Sequence, residues 1–477
     1  MADLTPIKLT NERYRLDYHL QAPSGWINDP NGFCYFKGYY HMFYQYYPYG
    51  AQWGPMHWGH ARSKDLINWQ TLPIALTPGD AEDRSGCFSG SAIVKDDTLY
   101  LIYTGHNCYD DSDPDRYWQN QNLAYSTDGI HFTKYEHNPI IATPPTDNTQ
   151  EFRDPKVWEH DGAYYVVLGS QTKEHLGRVL LYKSTDLRSW DYLGPLTQSK
   201  QADLEGYMWE CPDIFRLNGQ DILLTSPQGI VAQKEQYLNL HQTGYFVGQL
   251  DYQTPKLMRS DFHELDAGHD FYAPQTMLAP DGRRIMIGWL AMWESEMPEQ
   301  ADGWAGALTI PRELVWRNNQ IYMQPIQEMK QLRQKQLAKQ TWDLADTPFI
   351  CQGQSTAEVN LTLDLKQFAG QEFTIQLQDD QSTAQVELTY TRADNKLVLR
   401  RSDRPDVRFA SLHEQDLLQL QIFIDKSSLE IFINEGAVVF TERYYFKGQP
   451  SVQLKSDAVG QIDGTVYQLA NDVVQYH

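Results

Sequence analysis

The chain repeats itself five times, which restricts it to folds built from like units. Strand-like runs follow turn signals at Tyr40, Tyr100, Tyr165, Ile222 and Ile285, spaced 60, 65, 57 and 63 residues apart. The turns are Lys37-Gly38, Asp96-Asp97, Asp161-Gly162, Asn218-Gly219 and Asp281-Gly282. Asp-Gly and Asn-Gly favour two-residue hairpins, because a type I′ turn needs positive φ at both central residues. A second pattern runs in step with the first. Ser63-x-Asp65-x-x-x-Trp69, Ser126-x-Asp128-x-x-x-Phe132 and Ser184-x-Asp186-x-x-x-Trp190 recur 63 and 58 residues apart. Each unit reads as strand, hairpin turn, strand, strand, Ser/Asp turn, strand. Five four-stranded units of about 60 residues predict a β-propeller with longer loops than the short-repeat families.

The pattern changes after residue 324. In residues 325–340, Ile326, Met329, Leu332 and Leu337 follow helical spacing in a Gln/Lys-rich segment, which reads as a linker helix. Alternating strands fill residues 341–477, among them a hairpin from Ser428 through the Asn434-Glu435-Gly436 turn. They predict a β-sandwich. The expected fold class is all-β: a five-bladed β-propeller over 1–324, a linker helix over 325–340, and a C-terminal β-sandwich over 341–477. Two domains suit a chain of 477 residues, which exceeds what one core usually organises.

A formal net charge of −22 argues against nucleic acid and against an anionic membrane surface. The first fifteen residues hold no apolar run of signal-peptide length, and no later run is long enough to span a bilayer, so a cytoplasmic protein is expected. Five cysteines (Cys34, Cys87, Cys108, Cys211, Cys351) are an odd number without metal-site spacing, as expected of reduced thiols in the cytosol. Aromatic residues make up 13% of the chain, suiting either a β-rich core or the stacking of rings on sugar C–H faces.

Phase within the repeat picks out the chemistry. Asp29, Ser89, Asp154 and Pro274 each lie 11 residues before the strand-like run of their unit, and Glu210 lies 12 before its own. Equal phase means an equivalent place in each blade. Asp29, Asp154 and Glu210 are therefore expected just ahead of the axis-lining strands, facing one mouth of the funnel. Arg153 beside Asp154 should keep that carboxyl ionised, and the apolar neighbours of Glu210 should raise its pKa and keep it protonated. An ionised nucleophile, a protonated acid and a third carboxylate anchoring the ligand are the logic of glycoside hydrolysis. A metal site made from the same acids with His57 or His60 is the chemical rival. No HExxH or His-x-His spacing supports it, and no metal or organic cofactor is expected.

WINDPNG at 26–32, FSGS at 88–91, FRDP at 152–155 and WECPD at 209–213 closely resemble the signature blocks of glycoside hydrolase family 32, the invertases, fructan hydrolases and sucrose-6-phosphate hydrolases. The likeness extends through YTGHN at 103–107, FYAPQ at 271–275 and GWAGAL at 303–308 to SLEIFIN at 428–434. Ile27 stands where relatives often carry Met. The resemblance implies a five-bladed propeller joined to a sandwich. It implies Asp29 as nucleophile, Glu210 as general acid/base and Asp154 as the holder of fructosyl hydroxyls. Trp26, Asn28, Gln45, Trp53, Phe88, Ser89 and Arg153 are then expected around the fructose subsite, with Trp289 and Trp293 as wall candidates. The implied reaction is hydrolysis, with retention, of the terminal β-fructosyl bond of sucrose or sucrose 6-phosphate; short fructo-oligosaccharides such as kestose are the alternative substrates. Lys234, Arg178 and His241 are the candidate phosphate donors, and the sequence does not choose among them. It leaves a homo-oligomer open.

Overall fold

The computed structural model describes residues 5–110 and 113–476. Each repeat forms one antiparallel blade, and the first strand of each lies innermost: Gly25–Phe36, Gly86–Lys95, Asn148–His160, Met208–Leu217 and Tyr272–Leu278. These inner strands touch one another in ring order, the fifth meeting the first. Four of the five first hairpins hold both central residues at φ between 47° and 85°, as type I′ turns require. The Ser/Asp motif has an equally local cause. Asp65 accepts from the Ile67 and Asn68 amides, Asp128 from Ile130 and His131, and Asp186 from Arg188 and Ser189. In two blades the Trp that ends the motif donates its indole N–H back to the turn, Trp69 to the Leu66 carbonyl and Trp190 to Leu187.

Two expectations need correction. The acid-bearing phase lies within the inner strands, not ahead of them, because the runs at Tyr40, Tyr100, Tyr165, Ile222 and Ile285 belong to the second strands. The segment 325–340 is not a helix. A short 3₁₀ turn over Gln327–Leu332 buries Met329 and Leu332, and the chain then runs as the strand Arg333–Asp343 along the edge of the sandwich. Leu337 sits in that strand with 37% of its surface exposed, so the fourth apolar position never belonged to the face marked by the other three.

The sandwich stacks two six-stranded antiparallel sheets around its own apolar core. Its strands Ser428–Ile433 and Val438–Arg443 face the propeller through buried charge. His19 sits between Asp425 at 2.8 Å and Glu430 at 2.9 Å, and Arg312 bridges Asp266 to Glu430. Val474–Gln475 then returns to pair in parallel with the outer strand of blade one, and Trp304–Ala305 pairs with its inner strand. Among the described residues no helix is long and apolar enough to cross a membrane.

Candidate active site

All five inner strands break register at the same phase. The shifts fall between Ile27 and Pro30, Phe88 and Gly90, Arg153 and Lys156, Glu210 and Asp213, and Tyr272 and Gln275. A β-bulge re-aims the side chain it carries. Here it turns Asp29, Ser89, Asp154 and Glu210 toward the common axis, and Asp154 itself takes φ 63°. The repeat therefore encodes five bulges, and three of them bear acids.

Side-chain bonds beneath the acids lock the axis. Gln275 accepts from the Phe33 amide and donates to the Gly90 carbonyl, joining blades five, one and two. Lys156 spans from blade three to Asp213 and the Thr276 carbonyl. The space between these ties narrows to a void of about 10 Å³, room for at most one water. The funnel thus ends at the acids.

Asp29 accepts from Ser89 Oγ at 2.7 Å and Asn28 Nδ2 at 3.1 Å, and the Cys211 thiol stands 3.4 Å away. Asn28 is itself oriented by the Trp26 indole N–H at 2.8 Å. Asp154 accepts from the Cys211 amide at 2.9 Å, and its own amide donates to Thr104 Oγ1. Cys211 Sγ, 3.6 Å from Asp154 Oδ2, bridges the two aspartates. Glu210 takes two guanidinium bonds on Oε1, from Arg153 Nη2 at 2.9 Å and Nε at 3.2 Å, and one from Tyr272 on Oε2 at 2.6 Å. Glu151, held by Tyr117, pairs with the remaining arm of Arg153.

This wiring reverses the expected electrostatics. Successive strand residues point to opposite sides, so Arg153 reaches across to Glu151 and Glu210 rather than to its neighbour Asp154. Burial alone would raise Glu210, but Arg153 and the Tyr272 hydroxyl outweigh it and hold the carboxyl below its ordinary value. Burial pushes Asp154 up to about 7; Arg153 opposes the rise, and the charges of Glu210 and Asp29 add to it. Asp29 is likewise raised by burial, against the Ser89 bond. Glu210 is thus the carboxyl favoured to ionise, and Asp154 the one favoured to keep a proton.

The expected subsite residues divide by exposure. Trp53 is 45% exposed and stands edge-on to Phe88, which stacks on His106 at 4.2 Å. Trp293 stacks on Trp26 at 6.0 Å. Trp289 is wholly buried behind both rings, so it supports the wall and does not form its surface. Gln45 is nearly buried, with its amide donating to the Cys87 carbonyl. Of the phosphate candidates, Arg178 is tied to Asp147 and Asn148. Lys234 lines a groove of about 670 Å³ between propeller and sandwich. His241 alone stands beside the acids, its ring 6.0 Å from that of Tyr272.

Sequence reasoning missed Tyr272, Glu151, Cys211 and Thr104. Tyr272 had a signal: it opens the blade-five bulge, two residues before Pro274 at the acid-bearing phase. Cys211 likewise follows Glu210 directly, but Glu151 and Thr104 had no phase to mark them.

Residues 19–325 match the glycosyl hydrolases family 32 N-terminal domain, and residues 328–467 match the family's C-terminal domain. A sucrose-6-phosphate hydrolase of Escherichia coli is 42% identical over 433 residues, 90% of this chain and 88% of that protein. A mutant GH32 β-fructofuranosidase of Bombyx mori in complex with sucrose superposes with a TM-score of 0.89 at 41% identity, covering 97% of this chain and 95% of that one. The sucrose-6-phosphate hydrolase of Lactobacillus gasseri gives a TM-score of 0.87 at 32% identity, covering 97% and 94%.

Proposed function

Because the chain belongs to glycosyl hydrolase family 32 in both of its domains, we propose that it is a retaining β-fructofuranosidase acting on sucrose or sucrose 6-phosphate. The observation that carries this reading is the convergence of Asp29, Asp154 and Glu210 on one axial mouth, each in a different hydrogen-bond environment. Relatives named for sucrose 6-phosphate and a relative bound to sucrose supply the substrate class. The five unpaired cysteines fit a reducing cytosol.

Asp29 is the nucleophile. Its carboxylate bonds to the anomeric C2 as the C2–O bond to the leaving sugar breaks, and Glu210 gives its proton to the departing oxygen. In the second half Glu210 takes a proton from water, whose oxygen displaces Asp29 and releases fructose. Asp154 receives the fructosyl hydroxyls. Hydroxyls that donate to Asp154 favour its ionised form, and a sugar filling the mouth strips water from Glu210. Both effects favour ionised Asp154 and a proton on Glu210, where the first step needs it. Arg153 and Tyr272 then stabilise the glutamate that the first step leaves behind.

Glu210→Gln is expected to lower turnover of sucrose by roughly 10²–10⁴-fold, the usual share of an acid/base group, with the circular dichroism unchanged. Asp29→Asn should be at least as damaging. Proton NMR of the first product should show β-fructofuranose ahead of its mutarotated forms. Near-normal turnover in either variant, or inverted product, overturns the assignment.

A further inference from the structure

The acid/base group of a retaining hydrolase must be comfortable in two states, protonated before the first step and ionised after it. The surroundings of Glu210 are asymmetric in a way that bears on this. Oε1 faces two N–H donors of Arg153, which have no acceptor to offer, so a proton on Glu210 belongs on Oε2. Oε2 faces the Tyr272 hydroxyl at 2.6 Å, and that same hydroxyl lies 3.1 Å from the Ser226 carbonyl oxygen. Ser226 pairs with Glu210 across the blade-four hairpin, so the carbonyl is fixed relative to the carboxyl by the strand register itself. Tyr272 is 1% exposed and packs in the cluster of Trp26, Trp289 and Met292, so its ring cannot swing away.

A phenol has one hydrogen and two acceptors here, and only one bond can be made at a time. We propose that Tyr272 is a positioning residue whose hydroxyl hydrogen alternates between Glu210 Oε2 and the Ser226 carbonyl as Glu210 alternates between base and acid. This proposal rests on the fructosidase reading above and adds to it a means of serving both halves of the reaction.

With Glu210 ionised, Tyr272 donates to Oε2 and supports the carboxylate that activates water. With Glu210 protonated, the hydroxyl turns to the Ser226 carbonyl, and Oε2–H is left free for the glycosidic oxygen. Its own proton never leaves the phenol, consistent with burial and the adjoining Glu210 charge holding that group far above its ordinary pKa. No bond to carbon is involved, and the rotation is about one C–O bond. A fixed donor such as Arg153 cannot do this, since it stabilises only the ionised form.

Tyr272→Phe keeps the ring and removes the switch. Losing a hydrogen bond to a charged group raises the Glu210 pKa, so the alkaline limb of kcat, which reports the substrate complex in which Glu210 carries the proton, should move up by about one pH unit. The Tm should stay within a few degrees of wild type and the KM for sucrose within about twofold, while kcat falls roughly tenfold as the ionised base loses its support. The second variant places 3-fluorotyrosine at 272, which retains the hydroxyl and makes it a stronger donor; its alkaline limb should move down. Opposite displacements of the two limbs support the switch. A fall in kcat with both limbs unmoved, or limbs moving in the same direction, overturns it. If wild type and Glu210→Gln are equally inert on fructosides, the fructosidase reading itself fails.

Discussion

His19 offers a quantitative test of how the two domains hold together. Its ring is wholly buried, with Nδ1 2.8 Å from Asp425 and Nε2 2.9 Å from Glu430, both on the sandwich. Burial would lower its pKa, but the two carboxylates more than reverse that and raise it from 6.5 to about 9. A base with a raised folded pKa adds stability that is fully present below its unfolded value, here 6.5, and is lost as pH climbs through 9. At 1.36 kcal/mol per pH unit the contribution is roughly 3 kcal/mol. The perturbation is His19→Gln, which keeps a donor and acceptor but no titrating charge. Urea unfolding followed by tryptophan fluorescence, run on both proteins at several pH values, gives the gap between them. That gap should be largest below about pH 6.5 and should shrink by about 3 kcal/mol once pH passes well above 9. A gap that does not change with pH would refute a protonated His19 and leave a neutral ring bonded to one protonated acid.

Three further outcomes follow from the same geometry. Ser89→Ala removes the 2.7 Å donor to Asp29, which the proposed reaction needs ionised; its pKa should rise and the acid limb of kcat should move up by about one pH unit, as read in a pH–rate profile. Arg312→Met leaves Asp266 and Glu430 buried without their shared cation, and thermal unfolding should show a loss of about 3–5 kcal/mol, with propeller and sandwich melting together. Trp289→Phe should narrow the support behind Trp26 and Trp293 and raise KM more than it lowers kcat, since Trp289 itself is buried out of substrate reach.

Much of the fold was legible because its causes are local. A type I′ turn is written in two residues, and the Ser/Asp turn satisfies its own amides within five positions, so both recur wherever the blade recurs. The bulges were not legible as bulges. What the sequence carried was their phase, and phase was enough to bring Asp29, Asp154 and Glu210 to one place. The linker failed for the opposite reason. Met329 and Leu332 do bury one face of a turn, but helical spacing over so short a stretch is met equally by a 3₁₀ turn and then a strand, and partners from Gln461–Leu469 decided for the strand.

The charge assignment failed for a more instructive reason. Sequence adjacency suggested that Arg153 serves Asp154, yet along a strand neighbouring side chains diverge and the residue one blade away is the closer partner. In a propeller the relevant neighbour is the same phase of the next repeat, about 57 residues on from Arg153 to Glu210, a distance at which a sequence shows no contact. The consequence is chemical. An arginine on Asp154 would fix a permanent anchor; an arginine on Glu210 instead depresses that carboxyl, and in the proposed reaction the bound sugar supplies the surroundings that protonate it. Under the proposed reaction, Arg153 and Tyr272 favour the glutamate in the ionised form that the second half uses.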